Sequence, residues 1–330
     1  MQATTKPDWI IYAIAAIAGL FIVSKFMETD PQDPRKIAAG FHADSAWTGP
    51  SLEIDGSLTG KERELVAYGQ ELIANTSYYL GPKGILGSYT NGMNCQNCHL
   101  DAGTRAWGNN YGAVYATYPK FRERSGHVES VYKRVADCME RSLNGRAVDS
   151  NSREFQAIYA YIKWLGTGIP KGVKPVGSGI EKLPYLDRAA SPEKGKTVYL
   201  AKCSVCHGAE GTGMKNTTGT GYQYPPLWGD ASYNDGAGLY RVSTLAGYIR
   251  NNMPFNIGSH ASPGVSVEEA WDLAAFINSN PRPHKDQQHD WPDHAKKPVD
   301  FPFAPYADSF TEQQHKYGPF APIAAAYKKS

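Results

Sequence analysis

Cys95-Gln-Asn-Cys-His99 and Cys203-Ser-Val-Cys-His207 are two copies of one pattern, Cys-x-x-Cys-His. The cysteines of each copy stand one helical turn apart. Both sulfurs can therefore form thioethers to the vinyl groups of one porphyrin, while the adjoining histidine reaches the iron from the same face. A lone Cys-x-x-Cys also serves zinc sites and redox dithiols. Two complete patterns in a chain of five cysteines point instead to two covalently bound c-type haems. Cys95, Cys98, Cys203 and Cys206 are the attachment residues, and His99 and His207 the proximal iron ligands. One cysteine, Cys138, is left over.

The motifs lie 108 residues apart, and an internal repeat surrounds them. Ahead of the first, Thr59-Gly-Lys-Glu62 reads as a capping box, followed by Leu65, Tyr68, Leu72 and Ile73 at helical spacing. Ahead of the second, Ser191-Pro192-Glu193 reads as an N-cap with proline at the first helical position. After the first, a helix is expected from Asn151 or Ser152 through Leu165. After the second, Ser266-Val-Glu-Glu269 caps a helix carrying Trp271, Leu273, Phe276 and Ile277. Each unit reads helix, haem motif, long loop, helix. The expected fold is all-α, with two tandem cytochrome c-type domains over 59–168 and 191–282. Linkers cover 29–58 and 169–190, the latter within a Gly/Pro/Val-rich stretch from Gly166 to Gly179. Residues 283–330 form a proline-rich tail whose aromatics argue for a wrapping extension over the domains. Its histidines at 284, 289 and 294 read as a solvated polar stretch rather than a metal site.

Net charge is +2 over 330 residues, so nothing suggests a nucleic-acid partner. The start of the chain carries a membrane signal. Trp9 to Val23 (WIIYAIAAIAGLFIV) is uncharged, and a snorkelling Lys25 extends it to Met27, near the short end of the ~17–25 residues that span a bilayer. A cleaved signal peptide is the competing reading, but SKFMETDPQDP follows with no A-x-A-like site. Residues 1–28 are therefore expected to be an uncleaved transmembrane anchor. Because c-type haem is attached outside the bacterial cytoplasmic membrane, the haem domains should face the periplasm.

The ligand opposite each histidine sets the haem potential. In the second unit Met253, in RNNMPF, lies 46 residues after His207 and just ahead of the last helix. Met214, seven residues past His207, is too close to reach the opposite face. In the first unit the equivalent slot, 39 residues after His99, holds Cys138, with Met139 as the neighbouring rival. A thiolate would lower the potential of its iron, whereas His/Met ligation raises it, so the pair would form a gradient from the first haem to the second. A thiolate that can leave the iron is also a nucleophile. Around Cys138 lie Arg122, Arg124, Lys133, Arg134 and Arg141, with Ser125 and Ser142 as added donors. Guanidinium stays charged in a pocket and suits fixed recognition of oxyanions.

The stretches MNCQNCHLDAGTR, YPKFRERSG and VYKRVADCMERSLNG resemble the dihaem thiosulfate dehydrogenases, kin of the haem-bearing A subunit of the Sox sulfur-oxidising complex. The likeness continues through KCSVCHGAEGTG and NNMPFN into HDWPDHAKKPVDFPF, covering about residues 60 to 320. The resemblance implies oxidation of two thiosulfate ions to tetrathionate, or the reverse, with electrons passed to a cytochrome or membrane-associated acceptor. It implies that Cys138 is both distal ligand of the first haem and catalytic sulfur. It further implies that Arg124, Arg134 and Ser142 hold the sulfonate, and that Met253 is the distal ligand of the second haem. Some relatives place a lysine beside that methionine; here the residue is Asn252, which excludes a switch to it. A dihaem electron carrier without its own substrate, a relative acting on a protein-bound cysteine, and a dihaem peroxidase are the alternatives.

Overall fold

A computed structural model describes residues 45–328. The segment read as an anchor, residues 1–28, lies outside the described residues. Among those described, no helix is long and apolar enough to cross a membrane.

The first haem motif sits between two helices, α1 (Gly60–Ala74) and, further along the chain, α3 (Arg153–Leu165). The apolar residues of α1 recur at helical spacing, and Val66, Leu72 and Ile73 are buried against Ala157, Ile158, Tyr161 and Ile162 of α3. Ser152 caps α3 by accepting a hydrogen bond from Phe155 N. The capping box expected at Thr59 does not form: the helix starts at Gly60, and the Thr59 side chain makes no cap hydrogen bond. Gly60 at φ +50° turns the chain into the helix there instead.

The second half repeats the plan. Helices α4 (Pro192–Lys202), α5 (Val242–Asn252) and α6 (Val267–Ser279) enclose a core of Tyr199, Leu245, Ile249, Trp271 and Ile277. Ser191 caps α4 with Pro192 in its first turn, and Ser266 with Glu269 closes a capping box on α6. The tail contributes α7 (Glu312–Tyr317) and α8 (Ala321–Tyr327), whose Ile323, with Phe320, completes this core.

In both halves a glycine sits where the first helix crosses the last. A Cβ on Gly69 would lie 2.0 Å from Ala157 O, and one on Gly195 would lie 1.9 Å from Asp272 O. Buried Asp272 also accepts from Ser191 N (2.7 Å) and pairs with both terminal nitrogens of Arg188 (2.8 Å each), tying the start of α4 to α6.

The all-α expectation needs a small correction. Two short antiparallel pairs are present, β1 (Lys120–Arg122) with β2 (His127–Glu129), and β3 (Met214–Lys215) with β4 (Tyr222–Tyr224). In the first, Gly126 at φ +69° reverses the chain, so Phe121 stands opposite Val128. Long loops between haem motif and last helix must satisfy their own backbone groups, and these short ladders do part of that.

Residues 45–328 form one compact unit, with hydrogen bonds bridging the halves. Tyr248 donates to Asn97 O (3.0 Å), Asn91 Nδ2 to Ser232 O (3.0 Å), and Asn234 Nδ2 to Glu140 O (2.9 Å).

Because the atoms facing Gly69 and Gly195 are backbone, they cannot rotate away. Gly195→Ala and Gly69→Ala should each destabilise the protein by at least about 1–3 kcal/mol in chemical denaturation. Gly238→Ala, where nothing lies within 4 Å, should stay within about 0.5 kcal/mol of the parent.

Candidate active site and haem-ligand geometry

Cys95, Cys98, His99 and Cys138 line one cavity of ≈ 380 Å³, roofed by Tyr111 and Ile158. His99 lies alongside the Tyr111 ring, with centroids 4.4 Å apart. Its Nδ1 is 2.5 Å from Asn109 O. A carbonyl only accepts, so Nδ1 carries the proton and Nε2 is bare. Burial pushes the ring's pKa down to about 4, keeping the neutral, ligating form. The second half repeats this: His207 Nδ1 donates to Pro225 O (2.8 Å), and burial again lowers its pKa. Cys203, Cys206, His207 and Met253 line a common apolar slot with Leu245 and Ile249. Paired cysteines, a histidine oriented by a backbone acceptor, and an apolar wall fit a covalent haem at each site.

Cys138 owes its position to a local irregularity. Helix α2 (Val131–Asp137), capped by Ser130, runs into a π-helical turn over Cys138–Ser142. The turn is closed by Leu143 N donating to Cys138 O at 3.0 Å. The wider turn interrupts the helical register at the functional position, as such turns commonly do. Met139 also borders the cavity, but it is buried in an apolar cluster with Leu80, Val148 and Phe155.

The cavity is cationic. Arg134 lines it, and Cys138 beside it pushes its pKa upward. Arg122, Lys174 and Ser142 line the same space. Of the three residues expected to hold an oxyanion, Arg134 and Ser142 thus meet Cys138. Arg124 does not line this cavity. It borders a neighbouring polar one with Arg141, where its guanidinium stands 3.9 Å from Asp290. Burial, reinforced by Arg141, pushes its pKa down to about 10, and its Nε has no hydrogen-bond partner. Lys174 went unnoticed in sequence because it belongs to the linker, where composition signals only irregular chain. Arg122 was one cation among several until the hairpin turned it inward.

Carboxylates from the tail organise this region. Asp290 pairs bidentately with Arg141 of the π turn (2.8 Å to each nitrogen), and Trp291 N donates to Arg124 O (2.6 Å). Asp300 accepts from Ser243 N (3.1 Å) and from Arg241 Nε (2.8 Å), capping α5, which ends one residue before Met253. Among the described residues no cluster of three or more His, Cys, Asp or Glu side chains forms a metal site.

The two haem sites share a wall, since Cys98 lines both. Two cytochrome c folds joined in this way, one with a cationic cavity at its distal face, define a dihaem c-type cytochrome. Residues 88–170 match the family model for the SoxA/TsdA cytochrome c domain, and 192–281 that for cytochrome c. The chain is 36% identical over 282 residues to the thiosulfate dehydrogenase of Allochromatium vinosum, covering 84% of this chain and 97% of that protein. It is 35% identical over 269 residues to the enzyme of the same name from Stutzerimonas stutzeri, covering 81% and 83%. The match to that from Psychrobacter arcticus, 40% identical over 223 residues, covers 67% of this chain and 64% of the relative. A solved structure of Marichromatium purpuratum thiosulfate dehydrogenase (TsdBA) superposes with TM-score 0.66 at 32% identity, covering 73% of this chain and half (50%) of the other. The chain belongs to the thiosulfate dehydrogenase family.

The Arg141–Asp290 pair is nearly buried, at 11% side-chain exposure on each side, so removing one partner strands the other charge. Asp290→Ala should cost about 3 kcal/mol in chemical denaturation, more than a partly exposed pair such as Lys285–Glu140 would on Lys285→Ala.

Proposed function

We propose that this protein oxidises two thiosulfate ions to tetrathionate at Cys138 and passes the electrons through its second haem to an external acceptor. The observation carrying this reading is that Cys138 and Arg134 line the cavity that also holds Cys95, Cys98 and His99.

His99 and Cys138 would hold the first iron, and His207 and Met253 the second. The haems supply acceptance of two electrons, one each. Thiosulfate is a dianion, and bringing two together beside a thiolate is opposed by Coulomb repulsion in a poorly screened cavity. Arg134, Arg122 and Lys174 offset that repulsion, while Ser142 donates to a sulfonate oxygen. In the first step the Cys138 sulfur bonds to the sulfane sulfur of thiosulfate, giving a cysteine S-thiosulfonate and two electrons. In the second, another thiosulfate attacks the cysteine-bound sulfane sulfur. The bond to Cys138 breaks, tetrathionate leaves, and the thiolate is restored. No proton is consumed in either step. Run backwards, the same steps reduce tetrathionate.

Arg124 enters this scheme from the adjoining cavity, where its guanidinium, 3.9 Å from Asp290, adds to the positive field met by incoming anions. The segment from Trp9 to Val23 serves as an uncleaved anchor in the bacterial cytoplasmic membrane, with the haem domains on the periplasmic side. The acceptor is then a cytochrome or another membrane-associated redox protein.

Cys138→Ala should retain both covalent haems and lose thiosulfate-dependent reduction of an artificial acceptor. Near-parental tetrathionate formation by that variant would sink the assignment. Arg134→Gln should lower kcat/KM for thiosulfate by roughly 10–100-fold, the loss expected for a charge-assisted hydrogen bond. Membrane fractionation of the full chain should find it in the pellet; release by deletion of residues 1–28 would support the anchor, and a soluble full chain would refute it.

A further inference from the structure

We propose that Arg105 and Trp107 of the first domain, with Phe255 and His260 of the second, form a latch that positions Met253 for the second iron. The inference rests on the reading of Met253 as a haem ligand.

Met253 is the first residue beyond α5, in extended conformation (φ −121°, ψ 147°), at the head of an irregular loop. A thioether is a neutral, weak ligand, so its occupancy at iron depends on how well that loop is held in place. Three contacts from one segment of the first domain bracket it. Asn252, 2% exposed, donates from Nδ2 to Trp107 O at 3.0 Å. The guanidinium of Arg105 lies 4.8 Å from the Phe255 ring centroid, and its Nε donates to Asp101 at 2.7 Å. The indole of Trp107 stacks on the His260 ring, with centroids 4.1 Å apart and planes inclined by 16°. His260 Nδ1 is in turn 3.2 Å from Asn251 Oδ1.

The gripping segment is itself held in an unfavourable conformation. Trp107 has φ +62° and Asn109 φ +59°, a region that bulky side chains avoid. Trp107 N donates to Gly177 O (2.7 Å) and Asn109 N to Gly179 O (3.0 Å), so the linker clamps both residues there. Backbone kept in such a region by its surroundings marks a position with a task. Joining the halves does not require it, because Tyr248, Asn91 and Asn234 already do that elsewhere. The same segment supplies the Asn109 carbonyl that orients His99. One loop thus serves the proximal ligand of the first site and the distal ligand of the second.

The test uses the oxidised holoprotein with imidazole as competitor for the second iron. Displacement of Met253 is followed by loss of the methionine-to-iron charge-transfer absorption, and midpoint potentials are measured in parallel. Trp107→Ala and His260→Ala should each tighten imidazole binding at the second haem by roughly tenfold and lower that haem's potential. The double variant should add little, because both remove one stack. Trp107→Phe should restore much of the parental behaviour, and the first haem's spectrum should stay unchanged throughout. His260 is exposed, so its variant tests the latch even where Trp107→Ala folds poorly. Imidazole affinity within about twofold of the parent in both alanine variants, or equal perturbation of both haems, would overturn the proposal. The titration needs no thiosulfate, so a parent protein inactive toward thiosulfate would refute the proposed reaction while leaving the latch intact.

Discussion

The closeness with which the first helix of each half crosses the last is the constraint on which the rest of the molecule depends. Helices packed through ordinary side chains stand 8–10 Å apart, roughly; a glycine at the crossing lets one backbone approach the other's carbonyls. Gly69 does this against Ala157 and Gly195 against Asp272. In each half the haem motif follows the first helix of that pair. The segment carrying Cys138, or Met253 in the second half, precedes the second. The crossing therefore sets how far His99 stands from Cys138, and His207 from Met253. Burial around it, with Leu72, Tyr161 and Tyr199 fully enclosed, gives most of the driving force for each half.

Charge is distributed with equal economy. The cavity at Cys138 concentrates Arg122, Arg134 and Lys174, while the nearest tail carboxylate, Asp290, is turned onto Arg141 and Arg124 next door. The cations at Cys138 meet carboxylates only loosely, Arg122 standing 3.9 Å from Glu129, whereas Arg141 next door is paired tightly with Asp290 and holds the tail in place. The two cavities differ in this respect although their arginines come from one short stretch of chain. Asp300 acts similarly on the second half, neutralising the exposed amide end of α5 whose far end presents Met253.

The halves are not merely tethered. Cys98 borders both haem sites, Tyr248 of α5 bonds to the first haem motif at Asn97, and the Trp107–His260 stack closes the gap beside Met253. Contacts of this kind hold the two haem sites side by side across a shared wall. The linker contributes directly, since Gly177 and Gly179 accept hydrogen bonds from the loop that carries Trp107 and Asn109.

The two Cys-x-x-Cys-His motifs and the helix caps at Ser191 and Ser266 were legible in the chain because each is a short-range pattern with a local physical cause. So was the slot shared by Cys138 and Met253, since a repeat transfers position from one copy to the other. The Thr59 capping box does not form: the pattern states only that the donors and acceptors exist, not which φ the residue after the cap adopts. The glycines at the helix crossings, Lys174 in the linker, and Asp290 and Asp300 in the tail carried no local signal. Their roles depend on partners 88, 36, 149 and 57 residues away in sequence, at Ala157, Cys138, Arg141 and Ser243 respectively. The sequence by itself thus determined the two Cys-x-x-Cys-His motifs and singled out Cys138 as the one cysteine outside them. Only the tertiary structure decided which of the surrounding arginines face that sulfur, because side-chain direction in loops and turns follows from long-range packing rather than from spacing along the chain.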